Sequence, residues 1–303
     1  MAFAKRIFLF VAINFFVILT LSLVMNIFHV QPFLKGYGLD MRSLLIFCLI
    51  WGMGGAFISL LLSRQMAKWM MGVRLVDHAT ADPDLQRLVT TVQQLARDAH
   101  LPTTPEVGIF ESVEPNAFAT GPSKRRSLVA VSTGLLRRMS QKELEGVLAH
   151  EIAHISNGDM VTMTLIQGVV NAFVMFLARI VAYAVSGLGK NREQGSSGGS
   201  YLSYMLCVFL FEAVFMLLGS LIVCWFSRFR EFRADAGGAD LAGREKMIAA
   251  LESLKKMQEL RDPHVSKPSF QALKISTSRK SGLLTLFATH PPLEDRISRL
   301  KQF

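Results

Sequence analysis

The sequence predicts an α-helical integral membrane protein, with four hydrophobic helices carrying a mainly helical α+β polar domain that holds a small β-sheet. Three observations carry that prediction. Of 303 residues, 51% are hydrophobic and only 18% charged, where a soluble domain carries roughly 25% charge. The apolar residues gather into four blocks free or nearly free of charge. The polar remainder shows both helical and strand periodicities. This composition excludes an intrinsically disordered chain, which would be poor in apolar residues and rich in charge. Three cysteines in a chain of this length exclude a small disulfide scaffold.

Residues 7–30 form the first block, uncharged over 24 residues. As a helix it would run about 36 Å, against a hydrocarbon core of about 30 Å. It is too long for the apolar core of a signal peptide and no small-residue cleavage site follows, so it reads as an uncleaved anchor. Residues 43–63, bounded by Arg42 and Arg64, form the second block. In the polar segment that follows, Asp82 is placed to cap a helix. Its apolar residues Leu85, Leu88, Val89, Val92 and Leu95 recur at helical spacing. Residues 106–111 and 127–132 read as strands through Val107, Ile109, Leu128, Val129 and Val131, with a short edge strand over 115–121 between them. Ser140 followed by Glu143 is a capping-box signature for an apolar-periodic helix, and Asn157-Gly158 is suited to end it.

Residues 160–189 and 201–226 are the third and fourth blocks, each interrupted by one charge, Arg179 and Glu212. The glycine- and serine-rich stretch 190–200 reads as a flexible external loop, and 227–303 as mainly helical with a looser stretch over 262–281. The chain thus divides into two N-terminal transmembrane helices (1–63), a polar domain (64–159), a transmembrane helical hairpin (160–226) and a C-terminal polar part (227–303). Cys48, Cys207 and Cys224 all fall inside the blocks and read as small hydrophobes.

Charge gives the orientation. Lys5 and Arg6 precede the first block, Arg64, Lys68 and Arg74 follow the second, and Arg228, Arg230 and Arg233 follow the fourth. Positive-inside bias puts the N-terminus, the 64–159 domain and the C-terminal part in the cytoplasm. The net charge of +10 therefore sits beside membrane ends, which favours the lipid bilayer as a partner. No nucleic-acid motif occurs in the polar segments, and no nucleic-acid partner is expected. Arg179 and Glu212 are costly in lipid unless paired or wet. Their depths differ by about 8 Å at helical rise, which leaves two readings: an ion pair across the hairpin, or separate snorkelling and a wet cavity. The wet cavity would suit a small transporter.

The chemistry-bearing motif is His150-Glu151-Ile152-Ala153-His154, inside the helix that Ser140 opens. Residues i and i+4 share a helix face, so both imidazoles can bind one Zn²⁺ while Glu151 acts as general base toward a water there. The bland alternative is a helix with two surface histidines. A catalytic zinc needs a third protein ligand. Glu231 is a candidate, with Asp235 one turn later able to accept the far N–H of a ligand histidine. The alternative is that Glu231 only neutralises neighbouring arginines. An even number of crossings between His154 and Glu231 returns the chain to the side it left, so the two can meet at the cytoplasmic face.

With these residues together, the chain resembles the HtpX membrane metalloproteases, relatives of the Ste24 and Oma1 type of CAAX protease. The resemblance rests on His150-Glu151-x-x-His154 with Asn157-Gly158-Asp159, and on Asn116-Ala117-Phe118-Ala119-Thr120-Gly121. It rests also on Ser227-Arg228 through Glu231 and Ala234-Asp235, and on Thr289-His290-Pro291-Pro292. It implies a zincin-like (gluzincin) protease domain and a zinc endopeptidase of the bacterial inner membrane that acts on misfolded or damaged membrane proteins. By the same resemblance His150, His154 and Glu231 are the zinc ligands, one Zn²⁺ per chain. Glu151 is the catalytic base, Asp235 supports a ligand, and His290 is a substrate-side or oxyanion-stabilising group. His290 could instead simply cap a helix over 293–300. An edge strand over 116–120, with Asn116, Ala117 and Phe118 at its start, would bind an extended polypeptide substrate by strand addition. The alternative for that stretch is an ordinary hairpin arm. A second function class, a membrane adaptor or chaperone of the same fold without activity, is disfavoured by the intact ligand set and Glu151.

Overall fold

The computed structural model describes residues 34–35, 38–77, 80–188, 197–259 and 286–302. The first apolar block, Lys5 and Arg6, most of the 190–200 stretch and the looser 262–281 segment lie outside the described residues. A short antiparallel ribbon, β1 (Leu34–Lys35) and β2 (Gly38–Leu39), precedes helix α1 (Met41–Met70). Asp40 starts α1 by accepting from the Arg42 and Ser43 amides and the Ser43 hydroxyl. The helix outruns the apolar block by two turns, because Arg64, Gln65, Ala67 and Lys68 are good helix formers.

The chain divides into two compact units. Among described residues the first holds 34–56 and 165–223, built from α1, α5 (Asp159–Leu188) and α6 (Ser197–Ala242). These three are the described helices long and apolar enough to cross a membrane. Large apolar side chains such as Ile50, Phe173 and Leu206 point outward from them, as a lipid-facing surface requires. Helix α1 meets α5 at Gly52, where a Cβ would lie 2.5 Å from the Ala172 nitrogen, so only glycine permits this approach. Arg179 and Glu212 are both buried and paired at 2.6 Å. Arg179 also donates to the Met175 carbonyl and lies over the Phe47 ring. The ion-pair reading therefore holds over separate snorkelling. Residues 197–200 are helical, contrary to the expected loop. That stretch has no proline, and the helix of the fourth block extends back through it.

The second unit holds 57–164, 224–259 and 286–302. Its four-stranded mixed sheet has the order β3 (Arg74–Leu75), β4 (Glu106–Phe110), β6 (Arg126–Ser132), β5 (Ala117–Ser123). Strands β4 and β6 run parallel, and the other neighbours are antiparallel. The strands expected over 106–111, 115–121 and 127–132 are present, and β5 lies at an edge. Strand β3 was not foreseen, since two residues carry no periodicity. Helix α2 (Pro83–Asp98) is capped by Asp82, and the short α3 (Thr133–Arg138) by Ser132. Helix α4 (Gln141–Asn157) starts on the Ser140/Glu143 capping box and ends on Gly158 at φ 70°, a conformation suited to glycine. One face of α4 packs Leu148, Ile152 and Ile155 against Leu88, Val92, Val129 and Val131. Helices α7 (Arg244–Glu259) and α8 (Leu293–Gln302) complete the unit, sharing a core of Met247, Leu251, Ile297 and Leu300.

Candidate metal centre

Helix α4 presents His150 and His154 one turn apart on its buried face, with ring centroids 4.6 Å apart. Helix α6 brings Glu231 between them, fully buried. The helices approach closely at Gly238, where a Cβ would sit a tight 3.1 Å from the His150 nitrogen. The two Nε2 atoms are 3.1 Å apart, and the Glu231 carboxylate oxygens lie 3.5 Å from His150 Nε2 and 3.4 Å from His154 Nε2. A tetrahedral ion with bonds of about 2.0–2.2 Å would set its donors about 3.3–3.5 Å apart. Each imidazole faces a different Glu231 oxygen at separations close to these, and two imidazoles with a carboxylate suit a divalent cation. Among the described residues this is the one such group of three.

The far side of each imidazole meets a carboxylate. His154 Nδ1–H donates to Asp159 Oδ2 at 2.6 Å, and His150 Nδ1 lies 3.1 Å from Asp235 Oδ1. Each carboxylate is in turn held by an arginine. Arg296 donates to both oxygens of Asp235 at 2.8 and 2.6 Å, and Arg233 donates to Asp159 at 2.5 Å. Both His–Asp–Arg chains hold the imidazoles with Nδ1 outward and Nε2 toward the centre. Asp235 stands where the spacing placed it. Asp159, Arg233 and Arg296 were missed as partners. Asp159 sits five residues after His154, in the Asn157-Gly158-Asp159 triplet. The two arginines come from distant elements, a juxtaposition that no local spacing announces.

The electrostatics follow from this packing. Burial alone would depress the His154 pKa, but the Asp159 and Glu231 carboxylates overcome it and raise it to about 9. Burial would raise Glu231, yet hydrogen bonds from His150, His154 and His290 hold its carboxyl well below the usual range. Asp235 is likewise held low against its burial, by Arg296 and then His150. Glu231 and Asp235 thus stay negative at the site, whereas the raised His154 must release its proton for a cation to bind.

Glu151 is half-buried and its carboxylate has no hydrogen bond or ion pair among the described residues. His290 is largely exposed, and its Nδ1–H donates to Glu231 Oε2 at 2.8 Å. Its ring thus addresses Glu231, while the first turn of α8 is closed by the Pro292 carbonyl. Asn116, Ala117 and Phe118 stand at the start of β5. The Ser132 amide donates to the Asn116 carbonyl, so hydrogen-bonded pairs alternate from 116 and the amides of Ala117 and Ala119 face the open edge. Phe118 packs on Phe110 on one face of the sheet, while Ala117 and Ala119 lie on the core that includes Ile152 of α4.

Known proteins are similar to this chain over nearly its whole length. "Protease HtpX homolog" of Methylacidiphilum infernorum is 48% identical over 300 residues, covering 98% of each chain. "Protease HtpX" of Thioalkalivibrio sulfidiphilus is 49% identical over 299 residues, again covering 98% of each. "Protease HtpX homolog" of Bacillus subtilis is 48% identical over 306 residues, covering 98% of this chain and 99% of its own. Among solved structures, S. mikatae Ste24p shares the fold with a TM-score of 0.63 at 18% identity, over 92% of this chain and 62% of that one. Residues 82–303 match Peptidase family M48, a stretch that contains the metal-ligand triad, both carboxylates behind its imidazoles and both arginines. From that match and near-full-length relatives at almost half identity, the chain belongs to peptidase family M48.

Proposed function

We propose that this membrane-bound metalloprotease is a zinc endopeptidase of the bacterial inner membrane, with a zincin-like (gluzincin) domain and its active site on the cytoplasmic side. Its substrates would be polypeptides, in particular misfolded or damaged membrane proteins. Four membrane-crossing helices, the first formed by 7–30, would anchor it with both termini in the cytoplasm. The observation that carries the reading is the convergence of His150, His154 and Glu231 with a carboxylate behind each imidazole.

In this reading the three side chains hold one zinc ion, which when bound lowers the pKa of a water toward about 7 and polarises the scissile carbonyl. Asp235 and Asp159 keep the two imidazoles oriented. Glu151, with no hydrogen bond or ion pair among the described residues, takes the proton of the attacking water and later returns it to the leaving amine. His290, exposed toward solvent, would turn its Nδ1–H from Glu231 to the carbonyl oxygen as negative charge develops there. The open edge at Ala117 and Ala119 holds the substrate extended by backbone hydrogen bonds.

The test is made on purified protein in detergent, by measuring bound zinc and casein cleavage with and without a chelator. Glu151→Gln is expected to keep its zinc and lose cleavage by at least about 100-fold. Full activity in that variant would overturn the mechanism.

A further inference from the structure

Helix α6 presents Cys224, Arg228, Glu231 and Asp235 at steps of four, three and four residues, which keeps them on one face. The backbone from Leu286 onward runs along that face. The Cys224 thiol donates to the Phe287 carbonyl at 3.4 Å. Arg228 Nη1 donates to the carbonyls of Leu286 and Ala288, at 2.8 Å each. Three consecutive carbonyls are thus held by two residues one turn apart. Two residues past Ala288, His290 reaches Glu231, and Arg296 then closes on Asp235.

The charge pattern marked Arg228 as one of the basic residues that orient a membrane helix. Its guanidinium is used differently. Among the described residues it has no carboxylate partner, and its hydrogen bonds go to main chain. Along the strap Leu286, Thr289 and His290 are exposed, Phe287 and Ala288 half-buried, and Pro291 buried. The His290 ring has one polar tie of its own, to Glu231.

We propose that Arg228 is a positioning residue, whose grip on the 286–288 carbonyls sets where His290 stands beside Glu231. The consequence for turnover rests on the reading of His290 as the oxyanion donor. Misplacing such a group by about 1 Å costs about 100-fold in rate.

The experiment compares Arg228→Met, His290→Ala and the double variant of the full chain in detergent. It records kcat and KM for casein, bound zinc, and hydrogen exchange over residues 288–290 in the metal-free protein. Arg228→Met should keep one zinc per chain, expose 288–290 to faster exchange, and lower kcat about as far as His290→Ala with KM nearly unchanged. The double variant should be no slower than His290→Ala alone. Losses that multiply in the double variant would overturn the proposal, as would unchanged exchange over 288–290, wild-type kcat in Arg228→Met beside an impaired His290→Ala, or loss of zinc in Arg228→Met. If His290→Ala turns over like wild type, the donor role of His290 fails. Faster exchange in Arg228→Met would then uphold the positioning itself.

Discussion

At the scale of single residues, the carboxylates behind the imidazoles set how firmly the site holds a cation. Asp159 is completely buried and bonds His154 at 2.6 Å. Replacing it by Asn keeps the shape but removes the charge that fixes the ring's tautomer. Metal affinity is expected to fall about 10- to 100-fold, as read by competition against a chelator of known affinity. Unchanged affinity would show that Asp159 serves only to begin α5. The shared placement of His150 and His154 could be read from the sequence because a helix turns i, i+4 spacing directly into shared geometry. Asp235 was readable for the same reason, once Glu231 was in view. Arg296 was hidden, since its meeting with Asp235 depends on where α8 folds back, and no local pattern encodes that.

Among the elements, caps and helix pairing carry most of the specification. The Glu143 carboxyl of the α4 capping box is held below its ordinary pKa: burial, the largest single influence, would raise it, but hydrogen bonds from Ser140 and Ser253 and the charge of Lys256 together outweigh it. A depressed folded pKa contributes stability above the unfolded value of about 4.3, and that stability is lost as pH falls through the folded value. Glu143→Gln should therefore lower the unfolding midpoint at pH 7, and the gap should close under acid conditions below about pH 4. A gap that persists there would mean the charge is not responsible. In the membrane helices, removing one partner of the Arg179–Glu212 pair should destabilise by about 3–5 kcal/mol. The charge swap Arg179→Glu with Glu212→Arg should recover part of that loss in thermal unfolding. A swap no better than the worse single variant would defeat the pairing. Alternation made β4, β5 and β6 visible in the sequence, and the Asp82, Ser140 and Gly158 boundaries were visible through their side-chain chemistry. The 46-residue run of α6 was not, because its apolar block gives way to arginines with no break in helix propensity between them.

For the whole molecule, the proposed orientation, with both termini and the metal centre in the cytoplasm, rests on the Lys and Arg residues that flank the apolar blocks. Single cysteines placed at exposed sites in the 124–126 turn and at Lys301, in a variant lacking the native three, should resist an impermeant thiol reagent in intact cells. They should react once the inner membrane is opened. Labelling in intact cells would reverse the orientation. Chain order adds something that the finished site conceals. His150 and His154 emerge from the ribosome before α5 and α6, whereas Glu231 follows the whole apolar hairpin on the continuous helix that leaves it. A half-made chain therefore carries two of the three ligands and no competent peptidase. On the proposed reading the metal centre stays incomplete until α6 has been made, a delay written into the order of the chain.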